Sequence, residues 1–133
     1  MNFGLSSEYV LLQEMYRKFA ENEVQPIAAE VDENERFPEE TVVKLAKNGF
    51  LGIPFAKEYG GEGGNNIMYA MAVEELSKHC ATTGVIVSAH TSLAGAPINE
   101  FGTPEQKEKY LVPLAKGETL GAFGLTEPNA GTD

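Results

Sequence analysis

Between residues 7 and 31 the apolar side chains Val10, Leu11, Leu12, Met15, Phe19, Val24 and Ile27 return at helical spacing. A strand repeats every two residues and cannot present this pattern on one face. The same kind of pattern recurs as far as Gly117, so the chain has to bury its apolar stripes helix against helix. Pro26 is expected to bend or interrupt the first helix. A second begins at Pro38, with Glu39 and Glu40 at its positive end. It carries Val42, Val43, Leu45 and Ala46 on its apolar side, Lys44 and Lys47 in its last turns, and Gly49 as its cap. After the glycine-rich connection "FLGIPFAKEYGGEGGNN" (residues 50–66), a helix should resume near Ile67 and run through "MYAMAVEELSKHC". Another should cover much of residues 83–101, with a break near Pro97. "TPEQ" (103–106) matches a capping box, Thr103 with Gln106, opening a helix that carries "KEKYLVPLAKGE" and ends near Gly117. "LGAFGLT" then loses helical character and reads as a first strand. The expectation is an all-α fold, a helical bundle over residues 1–118, followed at 119–133 by the start of a β-rich domain that is otherwise missing.

Bulk properties narrow the function. The 133 residues suit one globular domain, 42% hydrophobic and 23% charged. A net charge of −10 without any basic stripe argues against nucleic acid, whose phosphates need clustered Lys and Arg. The acidic excess sits in "EVDENERFPEE" (30–40), read as a solvated helix end and loop. A single cysteine, Cys80, excludes an internal disulfide framework and fits a reducing compartment. The N-terminus shows no secretory or organellar address, so a cytoplasmic location is expected. Residues 81–99 include His90, Pro97, two glycines and several hydroxyls, too polar for a membrane span and better suited to a buried helix.

Most candidate sites have plain structural readings. "YGGEGG" (59–64) lacks the preceding strand, following helix and Lys-Ser/Thr of a phosphate loop, and reads as a flexible connector. His79 and Cys80 are adjacent on a helix and diverge by about 100 degrees, so metal binding is not expected. His90, on a mostly apolar helix, reads as a hydrogen-bonded packing residue. No nucleophile elbow or catalytic triad is present. The Met and Tyr residues near 68–71 read as core.

The segment "FGLTEPNAGTD" (123–133) is different. Its spacing alone describes a capped β-turn around Asn-Ala-Gly, flanked by Thr126 and Thr132. Its residues, however, closely resemble the acyl-CoA dehydrogenase family motif, aromatic–small–aliphatic–Thr-Glu-Pro–x–Ala-Gly-Ser/Thr-Asp. "YGGEGG", "AVEELSK" (72–78), "SAHTSLAGAPI" (88–98), "FGTPEQKEKYLVPLAKGE" (101–118) and "GAFGLTEP" (121–128) fall in that family's order, nearest to its bacterial short-chain, butyryl-CoA-type members. Thr132 stands where many members have Ser.

The resemblance implies a FAD-dependent oxidation of an acyl-CoA thioester to its trans-2-enoyl product. A Glu carboxylate would take the α-proton while the β-hydrogen passes as hydride to the flavin. It assigns Phe123, Gly124, Leu125, Thr126, Gly131 and Thr132 to the flavin, with the amides of the strand and the Thr126 hydroxyl as donors. Thr132 would also contact the CoA portion. Val87, Ser88, Ala89, Ser92, Leu93 and Ala96 match the helix bordering the acyl chain. Family members that take dicarboxylic acyl groups place an Arg in that helix. Residues 81–98 hold no Arg or Lys, Gly84 lies near the position concerned, and a plain aliphatic acyl group is favoured. The resemblance places the catalytic Glu in a C-terminal helical domain beyond these residues, so no catalytic residue is assigned and residues 1–133 by themselves are expected to be inactive. An electron-transfer flavoprotein as electron acceptor and a homotetramer are the implied partners. The competing expectations are a non-catalytic helical assembly or acyl-binding module, and a related flavoprotein oxidase or reductase.

Overall fold

The structure, a computed structural model, describes residues 4–131. Helix α1 (Ser7–Phe19) runs through a π-helical segment, Ala20–Val24, into α2 (Gln25–Glu33). Helix α3 (Glu39–Lys47) follows, then two 3-10 turns, Phe50–Gly52 and Lys57–Tyr59, and α4 (Asn66–His79). Helix α5 (Ala81–Ser88) passes through a second π segment, Ala89–Gly95, into α6 (Ala96–Phe101). Helix α7 (Pro104–Gln106), a third π segment, Lys107–Leu111, and α8 (Val112–Ala115) form the last rod. The expected helical bundle is what the residues build.

Near Pro26 and Pro97 the α-helix is interrupted by a π segment, and the chain stays helical rather than opening into a loop. Each π segment ends two residues before a proline, Pro26, Pro97 or Pro113. A proline inside a helix lacks the N–H and crowds the carbonyl four residues back, here that of Asn22, Leu93 or Lys109. All three carbonyls lie inside the widened turns. Widening the turn lets the rod continue where a regular helix would have to kink.

The core joins α1, α4 and α5 to the turn after α3. Ala20, Leu45, Ala72, Leu76 and Val87 are fully buried, packed with Tyr16, Phe50, Leu51 and Met71. The Phe50 ring meets Tyr16 edge-on at 5.3 Å and Phe19 at 4.5 Å. A smaller cluster, Phe55 with Leu111 and Ala115, seats the last rod.

The local stop and start signals act as expected. Gly49 takes a left-handed φ of 73° after α3, and Gly117 one of 69° after α8. Thr103 and Gln106 exchange both capping-box bonds, at 2.8 and 3.3 Å. Pro38 differs by one place, preceding rather than opening α3. The acidic run does more than face water, because Arg36 pairs with both Glu30 and Glu40 and ties the end of α2 to the start of α3. That guanidinium holds the Glu40 carboxyl down at about 2.

The glycine connector is anchored rather than flexible. The amides of Gly61, Glu62, Gly63 and Gly64 donate to the carbonyls of Ala56, Gly52, Phe55 and Ile53 at 2.8–3.1 Å. With those donors occupied, the loop has no cradle to offer a phosphate. After Gly117 the chain is irregular. Among the described residues there is no strand, only an isolated bridge between Glu127 and Ala130. A strand is defined by a ladder, and residues 119–126 have no neighbouring strand to pair with.

Candidate functional site

The rod α5–α6 sets the site. Thr83, Gly84, Val87, His90, Thr91 and Gly95 turn inward and are buried. The outward face carries Val85, Ala89, Ser92, Leu93 and Ala96, of which Val85, Ser92 and Leu93 are exposed and the two alanines half-buried. Ser92 is held by donating to the Ser88 carbonyl at 2.7 Å, which also accepts the Tyr69 hydroxyl at 3.2 Å. Of the residues expected to border an acyl chain, Ala89, Ser92, Leu93 and Ala96 therefore share one open face and Ser88 lies beside it. Val87 is on the opposite side, packed in the core. Gly84 faces α4, where an added Cβ would lie 1.9 Å from the Ser77 hydroxyl. Its lack of a side chain answers to helix packing, so the substrate argument rests on the other residues of 81–98.

Leu93 and Phe123 come together around one open cavity of about 480 Å³. Ala94, Pro97 and Ile98 form its wall on α5–α6, Tyr110 and Leu114 its wall on the last rod, and Gly121 and Ala122 its edge. Lys109 also lines it, with its ammonium 5.1 Å from the Tyr110 ring centroid. These last-rod residues escaped sequence reasoning, because a helical stripe shows which residues are apolar and not which rod they will face.

Beyond the cavity, Phe123 and Leu125 stand exposed, and a Cβ on Gly124 or Gly131 would meet nothing within 4 Å. Among the described residues the amides of 122–126 donate to no protein acceptor. The turn closes at Glu127–Ala130 through a reciprocal pair of bonds, 2.8 and 3.2 Å, one place earlier than Asn-Ala-Gly. Pro128 takes the second turn position, where its fixed φ is an advantage. Thr126 precedes this turn and is exposed. Thr132 lies outside the described residues.

His90 is fully buried, as its packing reading required. Its Nε2 donates to the Leu114 carbonyl at 3.1 Å, and its Nδ1 accepts from the Gly121 amide at 3.0 Å. Burial lowers the imidazole pKa against the opposing pull of backbone acceptors. No group of three or more His, Cys, Asp or Glu side chains is arranged for a metal among the described residues. No helix among them is long and apolar enough to cross a membrane.

A family model described as the N-terminal domain of acyl-CoA dehydrogenases matches residues 6–118. The short-chain-specific acyl-CoA dehydrogenase of Clostridium acetobutylicum is 67% identical over 133 residues, all of this chain and 35% of the relative. Butyryl-CoA dehydrogenase of Megasphaera elsdenii superposes with a TM-score of 0.92 at 43% identity, covering 100% of this chain and 36% of that one. A chain in a structure of the electron transferring flavoprotein of Acidaminococcus fermentans gives a TM-score of 0.94 at 45% identity, covering 99% and 35%. The chain thus spans about a third of the length of the curated relatives it matches.

Proposed function

Because this chain belongs to the acyl-CoA dehydrogenase family, we propose that it forms the N-terminal part of a FAD-dependent enzyme oxidising a short-chain acyl-CoA thioester to its trans-2-enoyl product. Residues 1–118 would be the helical domain and 119–133 the opening of a β-domain. The observation that carries the reading is the pairing of an open, largely apolar helix face with a run of exposed amides at residues 122–126 that donate to no acceptor among the described residues.

This donor set suits a flavin. Bound FAD would supply the hydride acceptor and would gather negative charge at its pyrimidine edge on reduction. The amides of 123–126 and the Thr126 hydroxyl would donate toward that edge, and Phe123 and Leu125 would cover apolar ring surface. Gly124 and Gly131 leave the backbone open to close approach. Ala89, Ser92, Leu93 and Ala96, with Ser88 beside them, would border the acyl chain, while Val87 would support that helix from behind. Thr132 would reach the CoA portion. The proton-abstracting Glu is proposed to come from a further helical domain. Electrons would pass to an electron-transfer flavoprotein, in keeping with the Acidaminococcus fermentans structure named above, and the complete protein would assemble as a tetramer.

The outward face of α5–α6 itself bears no cation, and the ammonium of Lys109, which lines the adjoining cavity from the last rod, stands over the Tyr110 ring. This favours an aliphatic acyl group over a dicarboxylic one. An unpaired carboxylate placed there would carry a desolvation cost of several kcal/mol. The test is turnover by the complete protein, where butyryl-CoA should be oxidised well and glutaryl-CoA poorly. Equal rates would refute the substrate reading, and a complete protein without flavin would refute the whole. Thr126→Ala in that protein should weaken flavin retention or shift its potential. A donor to a charged acceptor is worth about 1.5–3 kcal/mol. Unchanged affinity, spectrum and turnover would remove Thr126 from the site.

A further inference from the structure

We propose that His90 is a positioning residue, a neutral imidazole that pins residues 120–126 to the helical body and so sets the register in which the chain enters the site. Two backbone groups hydrogen-bond its ring nitrogens. The Leu114 carbonyl can only accept, so Nε2 carries the proton. The Gly121 amide can only donate, so Nδ1 presents its lone pair. A doubly protonated ring would turn a second N–H against the Gly121 N–H.

The tie is singular in its stretch of chain. Among the described residues, 120–126 make one hydrogen bond, the one from Gly121 to His90. Upstream the chain is held through Thr119 to the Pro113 carbonyl at 3.3 Å, and downstream it next closes at the Glu127–Ala130 turn. Gly121 is also a point of close approach. A Cβ there would lie 2.5 Å from the Ala94 Cβ and 3.1 Å from Leu114 Cδ2. One imidazole therefore joins the α5–α6 rod, the end of α8 and the irregular segment, two residues before Phe123. Its effect on cofactor binding depends on residues 123–126 lining the flavin as proposed above. The tie itself does not.

Two variants separate positioning from simple core filling. In His90→Asn the side-chain carbonyl can stand near Nδ1 and accept from Gly121 while Leu114 is abandoned. In His90→Gln the longer amide can reach Leu114 while Gly121 is released. Both lose the ring, so a filling role penalises both alike. Amide exchange in the 133-residue chain should show Gly121 protected in wild type and in His90→Asn, and about tenfold faster in His90→Gln, the order expected for one lost hydrogen bond. Nitrogen chemical shifts of the wild-type ring should show Nε2 protonated and Nδ1 bare. In the complete protein, FAD should dissociate about tenfold more readily from His90→Gln than from His90→Asn. Equal Gly121 exchange in the two variants, or a protonated Nδ1 in wild type, overturns the proposal. The ring signals decide it even where a variant fails to fold. If the complete wild-type protein binds no flavin while the exchange difference persists, the functional reading falls and the tie stands.

Discussion

Glu75 shows how one residue binds two helices. Its side chain is 1% exposed, yet Oε1 accepts from Gln13 of α1 at 3.0 Å and from Lys78 at 2.8 Å, and Arg17 Nε lies 3.6 Å from Oε2. Burial pushes its pKa up, but the bonds from Lys78 and Gln13 and the charges of Lys78 and Arg17 prevail, and the carboxyl titrates below its ordinary range. A depressed folded pKa means stabilisation present above the unfolded value, near ~4.3, and lost as pH falls through the folded one. Glu75→Gln should destabilise the domain by about 1.5–3 kcal/mol at neutral pH, the range for bonds to a charged group. The gap from wild type should narrow as acid protonates the carboxylate. Urea melts at several pH values measure both, and a pH-independent gap would show that shape rather than charge matters here. In the sequence Glu75 is one acid in "AVEELSK" and nothing marks it as buried. Its partner Gln13 is 62 residues away.

At the scale of the element, caps and glycines carry most of the local specification. Asn65 accepts from the amides of Ile67 and Met68 at 3.0 and 3.1 Å and donates to the Tyr9 hydroxyl at 2.8 Å. Asn65→Ala should cost about 1–2 kcal/mol, seen as a lower thermal midpoint, because it removes a cap and a tie to α1 together. A change under a few tenths would mean water replaces both. The connector offers a sharper contrast. A Cβ on Gly61 would lie 2.2 Å from the Phe55 carbonyl oxygen, whereas one on Gly124 would meet nothing. Gly61→Ala should destabilise by about 1–3 kcal/mol through overpacking, and Gly124→Ala should leave the melt unchanged. Equal melts would restore the flexible-connector reading. That reading failed because glycine content reports conformational freedom in the unfolded chain, not the hydrogen bonds that take it away.

For the whole molecule the exposed apolar surface sets behaviour. Val10, Leu11 and Met15 are half or more exposed along α1, and Phe123 and Leu125 are exposed near the site. Residues 1–133 alone should be helical and self-associating, since large apolar patches seldom stay in water. They should also purify without colour. Tight cofactor binding needs a pocket enclosing most of the ligand, and residues 123–131 offer a single exposed flank. Sedimentation and flavin absorbance after gel filtration check both points. A monodisperse monomer would contradict the first, and stoichiometric FAD the second.

Read alone, the residues determined the helical class, most helix ends, the caps at Gly49 and Thr103 and the stop near Gly117. These properties are encoded within a few residues of one another, in periodicity, capping spacing and turn chemistry. The cofactor flank, Phe123–Thr126 with Gly131 and Thr132, comes from family resemblance alone, since its spacing describes only a turn. Tertiary structure decided the rest. It carried the rods through Pro26 and Pro97 by widening their turns, because packing along the whole rod outweighs the local clash. It sent Val87 into the core and Gly84 against α4, leaving Ala89, Ser92, Leu93 and Ala96 outward, since a helix's facing depends on its neighbours. It also gave His90 its task, through Leu114 and Gly121, 24 and 31 residues further along the chain. A hydrogen bond between groups that far apart has no local pattern to announce it, because only the packed fold brings donor and acceptor to 3.0–3.1 Å.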